Sequence, residues 1–194
     1  LGFNPGLFSS QSDIFICAAL CSQRAAQDHL HRYYSGKYFP IELLSKISNL
    51  KVTSFPEIQS LLASSLTLET HGLNHPGGAS AYSIATTDAK LCCLLDNEFN
   101  DSQMSNLYQF TDDADLAIWD GMFTANELLQ HEGWGHSSIE QGEAFLENSN
   151  CRRLAISHHA SHRTDAQLNA IQEKLGDPAA FIAKANHTEL LTGV

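Results

Sequence analysis

Two short apolar runs that end abruptly on chemistry-bearing side chains constrain this chain most. Leu91-Cys92-Cys93-Leu94-Leu95 stops at Asp96, and Leu154-Ala155-Ile156-Ser157 stops at His158. Such runs suit buried strands, and strand ends are where a sheet can gather side chains distant in sequence. Two further segments place histidine at or after a structured run: Asn74-His75-Pro76-Gly77-Gly78 and Gly133-Trp134-Gly135-His136-Ser137-Ser138. Imidazole and carboxylate bind borderline metals and act as acids or bases near neutral pH, so the pattern predicts a hydrolytic metal site.

The 194 residues are enough for one domain, 1–194, with its own core. Hydrophobic residues make up 43% and charged residues 17%, as in an ordinary globular protein. No apolar run approaches the ~18 residues of a membrane span, so no membrane partner is expected. The formal charge is −11, from 22 acidic and 11 basic residues. That excess disfavours nonspecific nucleic-acid binding and favours a small substrate. Arg152, Arg153 and Arg163 flank the His-rich segment and could meet one anionic group. The five cysteines (Cys17, Cys21, Cys92, Cys93 and Cys151) form no disulfide framework, which points to a reducing, cytoplasmic setting. The first residue is Leu1, not Met, and the opening reads as mid-chain sequence.

Pattern and punctuation predict a loop over 1–12, a strand over 13–20 and a helix over 22–34 capped by Ser22. Tyr38-Phe39-Pro40 breaks the chain before a short helix over 41–47. Strands follow over 50–55, 66–74, 80–86 and 90–95. A helix over 102–110, a strand over 115–119, a helix over 137–147 and a strand over 151–157 come next. Thr164 caps a helix over 165–175, and a last strand falls near 180–190. The order of elements implies an α/β protein with mixed sheets.

Each candidate side chain has its own logic. Pro76-Gly77-Gly78 fixes a turn that holds the His75 imidazole at a rim rather than in a core. Asp96, at a strand end, could bridge two metals or act as a base, with Glu98 a weaker neighbour. His136 could act as a general acid if something orients it, and Asp120 and Glu132 are the candidate partners. His158 and His159 point to opposite sides of extended chain, so at most one faces a given site. His162 and Arg163 follow in the same loop. Asp28-His29-x-His31 looks metal-like but lies in a helix-like run where His29 does not share a face with the other two. Solvated helix surface is the better reading there.

Taken in order, these segments resemble the metallo-β-lactamase-fold hydrolases, in their tRNase Z-like and phosphodiesterase-like branch. Asn74-His75-Pro76-Gly77-Gly78 is similar to the branch's metal-His turn, and Asp96 to its bridging aspartate. Ala114-Asp115-Leu116-Ala117-Ile118-Trp119-Asp120 resembles the strand ending in an acid. Gly133-Trp134-Gly135-His136-Ser137-Ser138 resembles the Gly-His-Ser-Thr loop, and Leu154-Ala155-Ile156-Ser157-His158 the strand ending in the last metal histidine. The resemblance implies an αβ/βα sandwich with two divalent metal ions, zinc or else manganese or iron. It makes His75, Asp96 and His158 metal ligands, His136 the proton donor and Asp120 its orienter. It puts His159, His162 and Arg163 against the substrate's phosphate, with a metal-bound hydroxide as nucleophile.

The family's His-x-His-x-Asp-His signature is absent. In the family a Gly-Phe-like segment closely follows it, and this chain begins Leu1-Gly2-Phe3. The expectation is therefore a chain that starts just after the motif and lacks the fold's N-terminal strands. Alone it should bind metal weakly or not at all and be inactive. When complete, it is expected to hydrolyse a small phosphodiester such as a cyclic nucleotide. Alternatives are a non-catalytic scaffold or sensor with the same fold, or an ester or lactone hydrolase. Nucleic acid is not an expected partner, and a homo-oligomer is left open.

Overall fold

The computed structural model describes residues 12–37, 42–62 and 64–191. The readings for 1–11 and for Tyr38-Phe39-Pro40 lie outside these residues. The chain divides into two compact units, Leu1–Ala63 and Ser64–Val194.

In the first unit, β1 (Ile14–Ile16) pairs in parallel with β2 (Leu50–Val52). Among the described residues, three helices accompany them: α1 (Gln23–Tyr33), α2 (Leu43–Lys46) and α3 (Phe55–Leu61). Ser22 caps α1 as expected, accepting from the Ala25 N–H. The strand expected over 50–55 is cut short. Ser54 and Glu57 form a reciprocal capping box, with Pro56 in the first turn, so the backbone turns helical at Phe55. The apolar run 13–20 likewise yields only a three-residue strand.

The second unit is built on a six-stranded mixed sheet in the order β3-β4-β5-β6-β7-β8. Its strands are β3 (Thr67–Leu73), β4 (Ala79–Ala85), β5 (Lys90–Leu94), β6 (Leu116–Asp120), β7 (Leu154–Ser157) and β8 (Ala180–Ile182). Strands β3, β4 and β5 pair antiparallel, whereas β5 through β8 run parallel. The helices are α4 (Met104–Phe110), α5 (Ala125–Leu128), α6 (Ile139–Asn148) and α7 (Asp165–Gln172). Helix α5 was not expected, although Thr124 and Glu127 spell the same capping box that starts α3. Among the described residues, no helix is long and apolar enough to cross a membrane.

Polarity explains why this sheet gathers the candidate residues. Two antiparallel steps make β3 parallel to β5, so β3, β5, β6 and β7 all finish at the same edge. His75, Asp96, Asp120 and His158 stand at those four ends. Beneath the edge, Trp119 packs on Phe145 at 5.0 Å and on Phe99 at 5.3 Å. Burying side chains of this size contributes ~2–3 kcal/mol each. The Trp119 indole N–H also donates to the Ser138 carbonyl at 2.9 Å, tying the start of α6 to β6. Gly142 lets the helix come this close, since a Cβ there would stand 2.7 Å from the Trp119 ring.

Candidate active site

Asp120 organises the site. Its side chain is 1% exposed, and its Oδ2 accepts from four N–H groups. Two are backbone, Asp96 at 3.0 Å and Asn97 at 3.4 Å. Two are imidazole, His136 Nδ1 at 2.8 Å and His158 Nδ1 at 3.1 Å. Oδ1 accepts from the Met122 N–H at 3.3 Å. A buried carboxylate is costly unless its lone pairs are filled, and here they are. Because each imidazole uses Nδ1 on Asp120, each keeps Nε2 for a second partner.

Sequence reasoning gave Asp120 one imidazole to orient; the structure gives it two. The other candidate partner of His136, Glu132, is exposed. The His136 and His158 rings meet edge to face at 4.9 Å, and His136 meets His75 in the same way at 5.8 Å. Asp96 Oδ1 lies 3.7 Å from His158 Nδ1, and the Asp96 side chain is 52% exposed. Asp96 and His158 both have φ +57°, in the left-handed region that costs a non-glycine residue. The chain turns sharply as it leaves β5 and β7, and those turns aim the two side chains across the strand ends.

Asp96, Asp120, His136 and His158 each place a ligand atom within 4.8 Å of the others. Their chemistry fits part of a metal shell. Asp96 offers an open carboxylate, and His158 offers Nε2 with its Nδ1 fixed by Asp120, the support a metal-ligating histidine usually has. His75 is placed differently, because its Nδ1 accepts the Gly77 N–H at 3.3 Å. Asp96, His158 and His75 supply too few donors to hold two ions.

Two positioning roles escaped the sequence reading, that of Glu98, named only as a weaker neighbour of Asp96, and that of Asn97. Glu98 grips the His136 loop, its Oε1 accepting from the Gly133 N–H and its Oε2 from the Gly135 N–H, each at 2.8 Å. Both glycines have positive φ, +83° and +87°. A Cβ on Gly135 would stand 2.3 Å from His75 Cδ2 and 2.7 Å from Pro76 Cδ. Asn97, 1% exposed, accepts the Asn74 N–H at 3.0 Å on its Oδ1, and its carbonyl accepts the Ser137 hydroxyl. It thus joins the His75 turn, the β5 end and the His136 loop. The only sequence signal was their place in Asp96-Asn97-Glu98, directly after a candidate ligand.

The residues assigned to phosphate are not brought to the cluster as a group. His159 is not among the clustered ligands, and both of its ring nitrogens are buried. Burial pushes its imidazole below the ordinary value. Arg163 is 5% exposed and donates from Nη2 to Glu127 Oε2 at 2.6 Å and to the Met122 carbonyl at 3.2 Å. Arg152 pairs with Asp115 and Arg153 with Glu189, so each of the three arginines has its own carboxylate rather than forming a shared patch. His162 is exposed. Beside the site, a cleft of about 380 Å³ is lined by Glu98, Phe99, Leu128, Leu129 and Glu132, among others.

Comparison with solved structures gives this architecture a name. The metallo-β-lactamase fold protein YhfI from Bacillus subtilis matches with TM-score 0.58 at 19% identity, over 82% of this chain and 59% of YhfI. The short form of human tRNase Z matches with TM-score 0.52 at 15% identity, over 78% of this chain and 62% of that protein. A diphosphatase from the PhnP family matches with TM-score 0.57 at 11% identity, over 93% and 61%. The chain therefore has a metallo-β-lactamase-type α/β fold. It spans about three-fifths of the length of these three proteins, 59%, 62% and 61%. No family model and no curated protein matches the chain.

Proposed function

We propose that the chain carries the acid–base half of a metal-dependent hydrolase that acts on a small phosphodiester. The observation behind this reading is the pair of imidazoles on one buried carboxylate, His136 and His158 on Asp120 Oδ2. In this reading His158 and Asp96 hold metal, with His75 beside them, and His136 stays clear of it as the proton donor. When bound, the metal, zinc or another borderline divalent ion, supplies Lewis acidity and a lowered water pKa. A structural neighbour described as a diphosphatase and another described as a tRNase support phosphoryl chemistry at this fold's site.

His136 with Nδ1 on Asp120 presents Nε2 outward. To give a proton from Nε2 while Nδ1 donates to Asp120, the ring must react with both nitrogens protonated. In hydrolysis the oxygen of water bonds to phosphorus, a proton of that water passes to solvent, and the phosphorus–oxygen bond to the leaving group breaks. The Nε2 proton of His136 goes to that oxygen, which departs as an alcohol. Exposed His162 is the remaining candidate for contact with the phosphate. The five free thiols support a reducing compartment.

Hydrolysis of bis(p-nitrophenyl) phosphate by the chain extended upstream of Leu1, at saturating zinc or manganese and compared with p-nitrophenyl esters, tests the substrate class. His136→Ala should lower the diester rate by about 10²-fold or more with metal binding unchanged. An unchanged rate removes His136 from the chemistry, and preference for the ester moves the activity to carboxyl substrates. Absence of both hydrolysis and metal binding from the chain extended upstream of Leu1 would favour the scaffold reading.

A further inference from the structure

Arg163 reads from the sequence as a phosphate contact, yet its side chain is 5% exposed and its charge is spent inside the fold. Taking a guanidinium out of water is costly unless close partners meet it, so a buried arginine ties its partners together. Arg163 lies in the loop that runs from His158, just past β7, to Thr164, the cap of α7. Its Nη2 reaches across to the segment that joins β6 to α5. There it donates to the Met122 carbonyl at 3.2 Å and to Glu127 Oε2 at 2.6 Å. Both acceptors are themselves tied down. The Met122 N–H donates to Asp120 Oδ1 at 3.3 Å, so Met122 has the site's carboxylate on one side and Arg163 on the other. Glu127 Oε2 also accepts the Thr124 N–H at 2.7 Å and the Thr124 hydroxyl at 3.0 Å, the bonds that start α5.

At the root of the same two loops the Gly121 N–H donates to the Ser157 carbonyl at 2.9 Å. The chain leaving Asp120 and the chain leaving His158 are thus joined by backbone at the strand ends and by a buried ion pair farther out. His136 comes to Asp120 from another loop, which Glu98 and Asn97 hold instead. The left-handed His158 turn, at φ +57°, costs a non-glycine residue and persists where its surroundings fix it. We propose that Arg163 is a positioning residue for His158. By clasping the loop after β7 to the segment after β6, it keeps His158 Nδ1 on Asp120 and so aims Nε2 at the site. The consequence for catalysis rests on the reading of His158 as a metal ligand, whereas the positioning can be measured without metal or substrate.

On the chain without metal, the Nδ1 protons that His136 and His158 place on Asp120 should give downfield NMR signals, assigned by their loss in His136→Gln and His158→Gln. Arg163→Met should speed exchange of the His158 proton with water by about 10-fold or more and leave the His136 proton unchanged. Arg163→Lys keeps a charged N–H donor for the same two acceptors and should recover most of the loss. Glu127→Gln should act on the His158 proton in the same direction but less, and it carries the test if Arg163→Met does not fold. Equal effects on both histidines, or none on His158, overturn the proposal. A second experiment separates positioning from phosphate contact. On the chain extended upstream of Leu1, at saturating manganese, Arg163→Met should lower kcat for bis(p-nitrophenyl) phosphate by about 10-fold or more with KM unchanged. A raised KM with kcat unchanged returns Arg163 to the phosphate and overturns the proposal. If the extended chain hydrolyses no diester, the phosphodiesterase reading fails, and the NMR result alone decides whether Arg163 positions His158.

Discussion

Two stretches of this chain set histidines beside acids, and they end up in opposite conditions. In α1, Asp28, His29 and His31 are all exposed, and His31 reaches Glu42 at 3.2 Å across side chains 56% and 53% exposed. At the sheet edge, His136 and His158 share an aspartate that is 1% exposed. The motif density is similar in both. What differs is a buried carboxylate whose charge the fold must neutralise, and which therefore fixes every donor around it. Histidine becomes chemically useful where a low-dielectric acceptor sets its tautomer and direction.

Removing that acceptor should break the contrast most sharply. Asp120→Ala leaves three backbone N–H groups and two imidazoles without this acceptor and should cost about 3 kcal/mol in urea denaturation. Gly135→Ala comes next, at about 1–3 kcal/mol, because the new methyl meets His75 and Pro76 as well as a positive φ. Gly133→Ala has the same backbone sign but open space around it, so about 1 kcal/mol is expected. Equal losses for the two glycines would mean that the loop does not rest on the His75 turn.

Glu127 sharpens the comparison through pH. Burial pushes its carboxyl up, but the Thr124 N–H, Arg163 and the Thr124 hydroxyl together outweigh burial and hold it below the usual value. A depressed folded pKa gives stability that is present above the unfolded value, about 4.3, and is lost as pH falls through the folded value. Glu127→Gln should therefore flatten the acid limb of a urea-midpoint curve between about pH 5 and 3. The smallest effect belongs to α1. His31→Ala should change stability by no more than ~0.5 kcal/mol, since an exposed pair is screened by water.

The strand ends were legible because their signal is local. An apolar run that stops at Asp96 or His158 announces itself, and β5, β6 and β7 fall close to where the pattern put them. Helices α3 and α5 were equally local and still passed unread, though Ser54-Phe55-Pro56-Glu57 and Thr124-Ala125-Asn126-Glu127 both spell a capping box. Other features had no local signal. The grip of Glu98 on two glycines 35 and 37 residues away depends on loop backbone aimed by tertiary packing. Arg163 read as a phosphate contact because its charge was visible and its partner Glu127, 36 residues earlier, was not.

The left-handed backbone at Asp96 and His158 carries a consequence for engineering. Glycine would relax both turns, so a library screened only for heat resistance is under pressure to replace the two side chains proposed to hold metal. Thermostabilising this scaffold safely means holding positions 96 and 158 fixed and seeking gains elsewhere, for instance at the exposed face of α1.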